Sequence, residues 1–173
     1  MSIHIVIDGY NLIRQSNSFS DLDRQDIQLG REALLDTLAV YRRIKHHKIT
    51  VVFDGTNAPP FSQNENRVKG IKVKFSRSGE LADSLIKRMV NREREKALVV
   101  TSDLDIVNFA VSKGAATINS SDFEEKITMA VYMDTKGVER EDESGWVPTT
   151  KKKGPSKRLS KRKRRNRIKI RKL

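Results

Sequence analysis

Cysteine is absent from all 173 residues. That removes disulfides, thiolate zinc sites and cysteine nucleophiles from consideration. Histidine is nearly as scarce, at three residues. His4 sits in an apolar run, and His46-His47 closes a cluster of cations that reads as a solvated helix end, favoured by the helix dipole, rather than as a metal site. No apolar run approaches membrane-spanning length, and the first residues lack the basic and apolar regions of a signal peptide, so the expected location is the cytoplasm, with no membrane partner. The longest stretch without acid lies at the end of the sequence. Lys151 to Leu173 carries 14 Lys and Arg and no Asp or Glu, which leaves Met1 to Thr150 with 21 basic and 22 acidic side chains. The formal net charge of +13 therefore belongs to the tail, and the rest is a near-neutral segment long enough for one well-buried domain.

What is present begins with IHIVIDGYN, Ile3 to Asn11. Its nearly continuous β-branched run suits a strand buried on both faces of a parallel sheet, and it stops on Asp8-Gly9. ITVVFDGTN, Ile49 to Asn57, repeats the design and ends on Asp54-Gly55. Ala97 to Thr101 is a third apolar strand, followed by Ser102-Asp103-Leu104-Asp105, and Ala115 to Asn119 is a last short one. Gly70 to Phe75 alternates apolar residues with Lys72 and Lys74, the pattern of an edge strand.

Between these runs, Leu12 to Asp26 reads as a loop or short helix, and Gln25 to His47 as one or two amphipathic helices with Gly30 as a possible break. Ala58 to Arg67 reads as a loop. Helices are expected from about Glu80, with Asp83 near the first turn, over Ile106 to Lys113, and over Asp122 to Met133 behind a Ser121/Glu124 capping box. Strands alternating with helices specify an α/β class, a three-layer Rossmann-like fold around a mainly parallel sheet.

A parallel sheet places all its strand carboxyl ends on one edge, so Asp8, Asp54, Asp103 and Asp105 gather there and the Asp83 helix begins nearby. Clustered carboxylates repel unless a cation sits among them, and oxygen-only donors suit Mg²⁺ or Mn²⁺. Such an ion serves phosphoryl transfer, of which nuclease chemistry is the natural subclass. No Walker lysine loop offers another catalyst. A haloacid-dehalogenase site needs an Asp where Val52 stands, and a response-regulator receiver needs a second acid beside Asp8.

The combination IVIDGYNLI (Ile5 to Ile13), VVFDGT (Val51 to Thr56), FSRSGELADSLI (Phe75 to Ile86) and VVTSDLDI (Val99 to Ile106) resembles the PIN-like ribonucleases, and within them the YacP-like branch of NYN domains. The resemblance covers roughly Met1 to Asp134. It implies a metal-dependent endoribonuclease selective for single strands. Asp8, Asp83 and Asp103 match the metal-binding acids, and Asp105 and Asp54 are further members of the acidic pocket. Asn11 matches the family's asparagine, placed to orient Asp8 or bind a phosphate, as are Thr101 and Ser102.

The chain thus divides into a nuclease domain (1–135), an acidic linker (136–150) and a basic tail (151–173). Trp146 reads as an anchor pinning the linker to the domain rather than as a base-stacking platform. The tail, densest at Lys161, Arg162, Lys163, Arg164 and Arg165, is expected to be disordered when free and to serve as an electrostatic handle for RNA: single-stranded mRNA, with rRNA or the ribosome as further partners. The alternative function is a non-catalytic RNA-binding or ribosome-associated module on the same fold. A flap-type DNA nuclease is weaker still, because the chain has little room for a DNA-gripping helical insertion.

Overall fold

The structure, a computed structural model, describes residues 3–58, 65–77, 79–136 and 160–173; the linker after residue 136, Trp146 and residues 151–159 lie outside the described residues. The described strands are β1 (His4–Asp8), β2 (Lys48–Phe53), β3 (Glu65–Val68), β4 (Ile71–Phe75), β5 (Ala97–Val100) and β6 (Ala116–Ile118). They form one sheet in the order β3-β4-β2-β1-β5-β6, parallel throughout except for the β3–β4 pair. The helices are α1 (Gly9–Gln15), α2 (Asn17–Gln25), α3 (Ile27–Lys45), α4 (Ala82–Glu93), α5 (Leu104–Ser112), α6 (Ser120–Thr135) and α7 (Lys161–Arg171).

Strand periodicity explains the layers. Ile5 and Ile7 point to one face, where they join Leu12, Leu34, Leu38, Tyr41, Phe123 and Ile127 of α1, α3 and α6. Val6 points to the other, with Ile86, Met89, Val90 and Ile106 of α4 and α5. Each such side chain contributes about 1.5–3 kcal/mol on full burial, so β1, covered on both faces, fixes the register of the whole sheet. It pairs His4 with Lys48 on one side and with Ala97 on the other. From β1 the chain proceeds outward through β2 to β4, then returns to the other side of β1 with β5. The topological switch point therefore lies at the carboxyl end of β1, where open α/β sheets bind ligands.

Several local expectations are corrected. Leu12 to Asp26, expected as a loop or short helix, holds the end of one helix and the whole of a second, because Asp8 caps α1 and Ser16, through its hydroxyl, caps α2. Gly30 does not break α3; α2 packs so closely there that a side-chain carbon would lie 2.8 Å from Cβ of Asp23. Strand β4 is not an edge. Glu65 to Val68 adds an antiparallel strand beyond it, with Glu65 paired to both Lys72 and Lys74. The cap of α6 is Asn119, which accepts the N–H of Ser121, while Glu124 receives the Ser16 hydroxyl at 2.5 Å.

Of the basic tail, residues 160–173 are described, and they include the helix α7. In α7, Asn166, Lys169 and Ile170 turn inward at helical spacing, and Leu173, 4 % exposed, enters the main core. Tyr41 donates its hydroxyl to the Leu173 carbonyl at 2.9 Å, and His47, buried instead of solvated, donates Nε2–H to the Lys172 carbonyl at 3.1 Å. Burial pushes the His47 pKa down, keeping the ring neutral for that role. Glu95 holds Arg165 at 2.8 Å, and its carbonyl accepts from Lys169.

Candidate active site

Three acids arrive at the site for the same local reason. Asp8, Asp54 and Asp103 each follow a strand in extended conformation and cap the element that comes next. Asp8 Oδ1 accepts the N–H of Asn11 at 3.2 Å, Asp54 accepts the Thr56 N–H at 3.0 Å and hydroxyl at 2.7 Å, and Asp103 accepts the N–H groups of Asp105 and Ile106 at 2.7 and 3.3 Å. Side-chain oxygens at such positions satisfy helix N–H groups that would otherwise lack partners. The fourth acid, Asp83, comes from the first turn of α4. Close approach of α1 to the sheet requires Gly9, because a side-chain carbon there would fall 2.3 Å from the Phe53 ring.

These acids line one cleft of about 290 Å³ at the carboxyl edge of the sheet, together with Tyr10, Asn11, Arg14, Gln15, Leu81 and Ala82. Its electrostatics are those of a crowded anionic site. Burial, then the charges of Asp83 and Asp103, push the Asp8 carboxyl up to about 6 against the hydrogen bonds from Asn11 and Thr101. Burial and the Asp103 charge likewise raise Asp83, whereas the Thr56 hydrogen bonds lower Asp54.

The remaining expected residues divide by position. Thr101, 1 % exposed, donates to Asp8 Oδ2 at 3.3 Å and accepts the Asp103 N–H at 3.1 Å, so it positions two acids and is too buried to reach a substrate. Asn11 contributes its backbone N–H to Asp8, and its side-chain oxygen accepts from Ser102 N–H at 2.8 Å and the Ser120 hydroxyl at 2.7 Å. It ties the ends of β1, β5 and β6 together at the cleft wall. Ser102 donates to Asn119 behind that wall. Asp105 is not part of the cleft lining; it is exposed and ion-paired with Lys87, and its charge contributes to raising Asp83. Lys161, Lys163, Arg164 and Arg165 are on α7; Arg162 belongs to that helix, and its side chain lies outside the described residues.

The sequence reading missed Tyr10 and Arg14. Tyr10 accepts from the buried Arg31, whose guanidinium lies 5.4–5.6 Å from the centres of the Tyr10, Phe53 and Phe75 rings. Arg14 supplies a cation to the cleft lining and follows Tyr10 by four residues and Asn11 by three, a helical spacing that was legible once α1 was known to begin at Gly9.

The donor set fits a hard divalent cation: all-oxygen, with the Asp8 and Asp83 carboxyls raised by burial and then by acidic neighbours. Among the described residues no three acids converge on one point. Mg²⁺ is commonly held by one or two carboxylates with several retained waters, so one or two of Asp8, Asp83 and Asp103 would suffice for direct contact, with water bridging to the rest.

Comparison with known proteins places this geometry in a family. Over 102 residues the chain is 26% identical to the "uncharacterized protein YacP" of Bacillus subtilis, an alignment spanning 57% of this chain and 59% of that relative, less than two thirds of its length. The crystal structure of Rae1 (YacP) from Bacillus subtilis shares the fold, with a TM-score of 0.66 at 22% identity over 80% of each chain. A mutant form of it gives 0.65 at 20% identity, over 78% of this chain and 80% of that one. The YacP-like NYN domain matches residues 5–172, from the second residue of β1 to the last turn of α7, and the chain belongs to that family of nuclease-type, RNA-related domains.

Proposed function

We propose that the cleft is the site of a Mg²⁺- or Mn²⁺-dependent endoribonuclease that hydrolyses single-stranded RNA, mRNA foremost and with rRNA or the ribosome as a platform, to 5′-phosphate products. The observation that carries this reading is the meeting of Asp8, Asp83 and Asp103, with Asp54, in one cleft at the switch point of the sheet. Asp8, Asp83 and Asp103 would hold the ion, which when bound supplies charge stabilisation to a phosphodiester and acidity to water. The protein's own groups do the rest. Thr101 fixes Asp8 and Asp103 relative to each other, and Asn11 locks the three strand ends so that the acids keep their spacing. Arg14 offers the incoming phosphate a counter-charge, and exposed Leu81 on the rim gives an unpaired base an apolar surface that a duplex would withhold.

Cleavage of labelled single-stranded RNA with Mn²⁺ tests the reading. Wild type should cut, and Asp8→Asn or Asp83→Asn should abolish cutting while remaining folded. Asp105→Asn should cost no more than about tenfold, the low end for a group acting from outside the ligand set. Full activity of the Asp8 and Asp83 variants would refute the assignment.

A further inference from the structure

Five cations of α7 face the rest of the protein in two groups. Arg165 and Lys169 face Glu95, which partners both. Lys163, Arg167 and Arg171, spaced by four residues, instead line a groove of about 400 Å³ shared with Asn166, Ile170 and, across the gap on α6, Lys126. No acid lines this groove, and among the described residues none of these four cations has an ion-pair partner. Four like charges around an apolar floor are tolerable alone because they are solvated, and they become favourable when a polyanion neutralises them.

The spacing specifies which polyanion. Residues four apart on a helix rise about 6 Å, so Lys163, Arg167 and Arg171 form a straight row of charges at an interval comparable to that of successive phosphates along an extended strand. Lys126 faces the row from a different helix, making a two-walled track rather than a single charged surface. The row is held still: Leu173 and Ile170 are seated on the core, and Tyr41 and His47 bond the last carbonyls. Its position separates it from the chemistry. Glu95 and His47 precede the first residues of β5 and β2, so α7 is anchored at the amino edge of the sheet, a strand length of roughly 15 Å from Asp8 and Asp103.

We propose that the α6–α7 groove is a second nucleic-acid site, a phosphate track that takes the phosphodiester backbone of RNA through Lys126, Lys163, Arg167 and Arg171. The proposal rests on the reading of the protein as one that acts on RNA, but it requires no turnover.

Binding of a 20-nucleotide single-stranded RNA to the full chain, in chelator and across a salt series, tests it. Each neutralised phosphate contributes about 0.7 to the slope of log affinity against log salt, so Lys163→Ala/Arg167→Ala/Arg171→Ala should flatten the slope by about 2 and weaken binding by about tenfold or more at low salt. Lys126→Ala, which leaves α7 untouched, should flatten it by about 0.7. Removing three exposed cations elsewhere, Arg24→Ala/Arg43→Ala/Lys113→Ala, should do far less. Equal losses from the two triple variants would mean bulk charge and overturn the track. So would unchanged RNA binding by the groove variants with loss of binding to phosphatidylglycerol vesicles, which would assign the groove to acidic lipid. If Mn²⁺-dependent cleavage fails while the groove variants still lose RNA, the nuclease reading falls and the track stands; if cleavage succeeds and the groove variants bind like wild type, the track falls alone.

Discussion

Replacing Asp8 by Asn should stabilise the protein in the absence of metal, and the size of the gain can be worked from its surroundings. The carboxyl is raised from 3.8 to about 6, chiefly by burial and then by Asp83 and Asp103. At about 1.4 kcal/mol per pH unit, keeping this group ionised costs the folded state about 3 kcal/mol at pH 7.5. The sign follows from proton counts: between pH 3.8 and 6 the folded state binds more protons than the unfolded, so stability falls as pH rises through that window and levels off above it. Asn keeps the oxygen that accepts the Asn11 N–H, so the cap on α1 survives. It also loses a favourable helix-dipole contact of about 0.3–1 kcal/mol, leaving a net gain of about 2 kcal/mol, or roughly 4–8 °C for a chain of this size.

Thermal unfolding in chelator at pH 7.5 and pH 4.5 gives the check. At pH 4.5 the folded wild type is already mostly protonated, and the cost being relieved shrinks to about 1 kcal/mol. A variant that melts at or below wild type at pH 7.5, or whose advantage is the same at both pH values, would refute the electrostatic account of the cleft.

Two further outcomes follow from the positioning contacts. Thr101→Val removes the hydroxyl that bridges Asp8 and the Asp103 N–H, and should cost about 1–3 kcal/mol in denaturant unfolding together with a 10–100-fold loss of cleavage, largely in turnover rate. Leu173→Ala should cost about 2–5 kcal/mol and release α7, read as protease cleavage within Lys161–Arg171 at concentrations that spare wild type; unchanged protection would mean that Glu95 alone holds the helix.

How much could be read in the chain depended on how many faces each segment buries. Runs such as Ile5-Val6-Ile7 and Val51-Val52-Phe53 are apolar without interruption because helices cover both sides of the sheet, and that made the parallel α/β class and the acidic edge legible. Glu65 to Val68 buries nothing, so its sequence carries no strand signal, and it forms only because β4 presents a free edge and two lysines to Glu65. Asp103 and Asp105 look interchangeable two residues apart, yet one caps α5 from inside the cleft while the other, a residue into the helix, turns out to Lys87. The inward stripe of α7 was hidden by composition: four apolar residues among fourteen cations in the tail's 23 residues suggest no core, but Ile170 and Leu173 needed only a corner of one that already existed.

The double employment of Asp8, Asp54 and Asp103 changes what their presence means. A capping side chain serves folding whether or not any reaction takes place, so truncating any of the three to Ala would cost about 1 kcal/mol, whereas Asn at position 8 would keep the cap and relieve the buried charge. Asp83 is different. The cap position of α4 is Leu81, which makes no side-chain bond, and Asp83 is half-buried with its carboxyl raised by that burial and by its acidic neighbours. Folding would be better served by a neutral residue there. Of the cleft acids, Asp83 is therefore the one that no capping role explains, so under the proposed function its exchange for Asn or Ser is the change that would most specifically mark loss of the reaction.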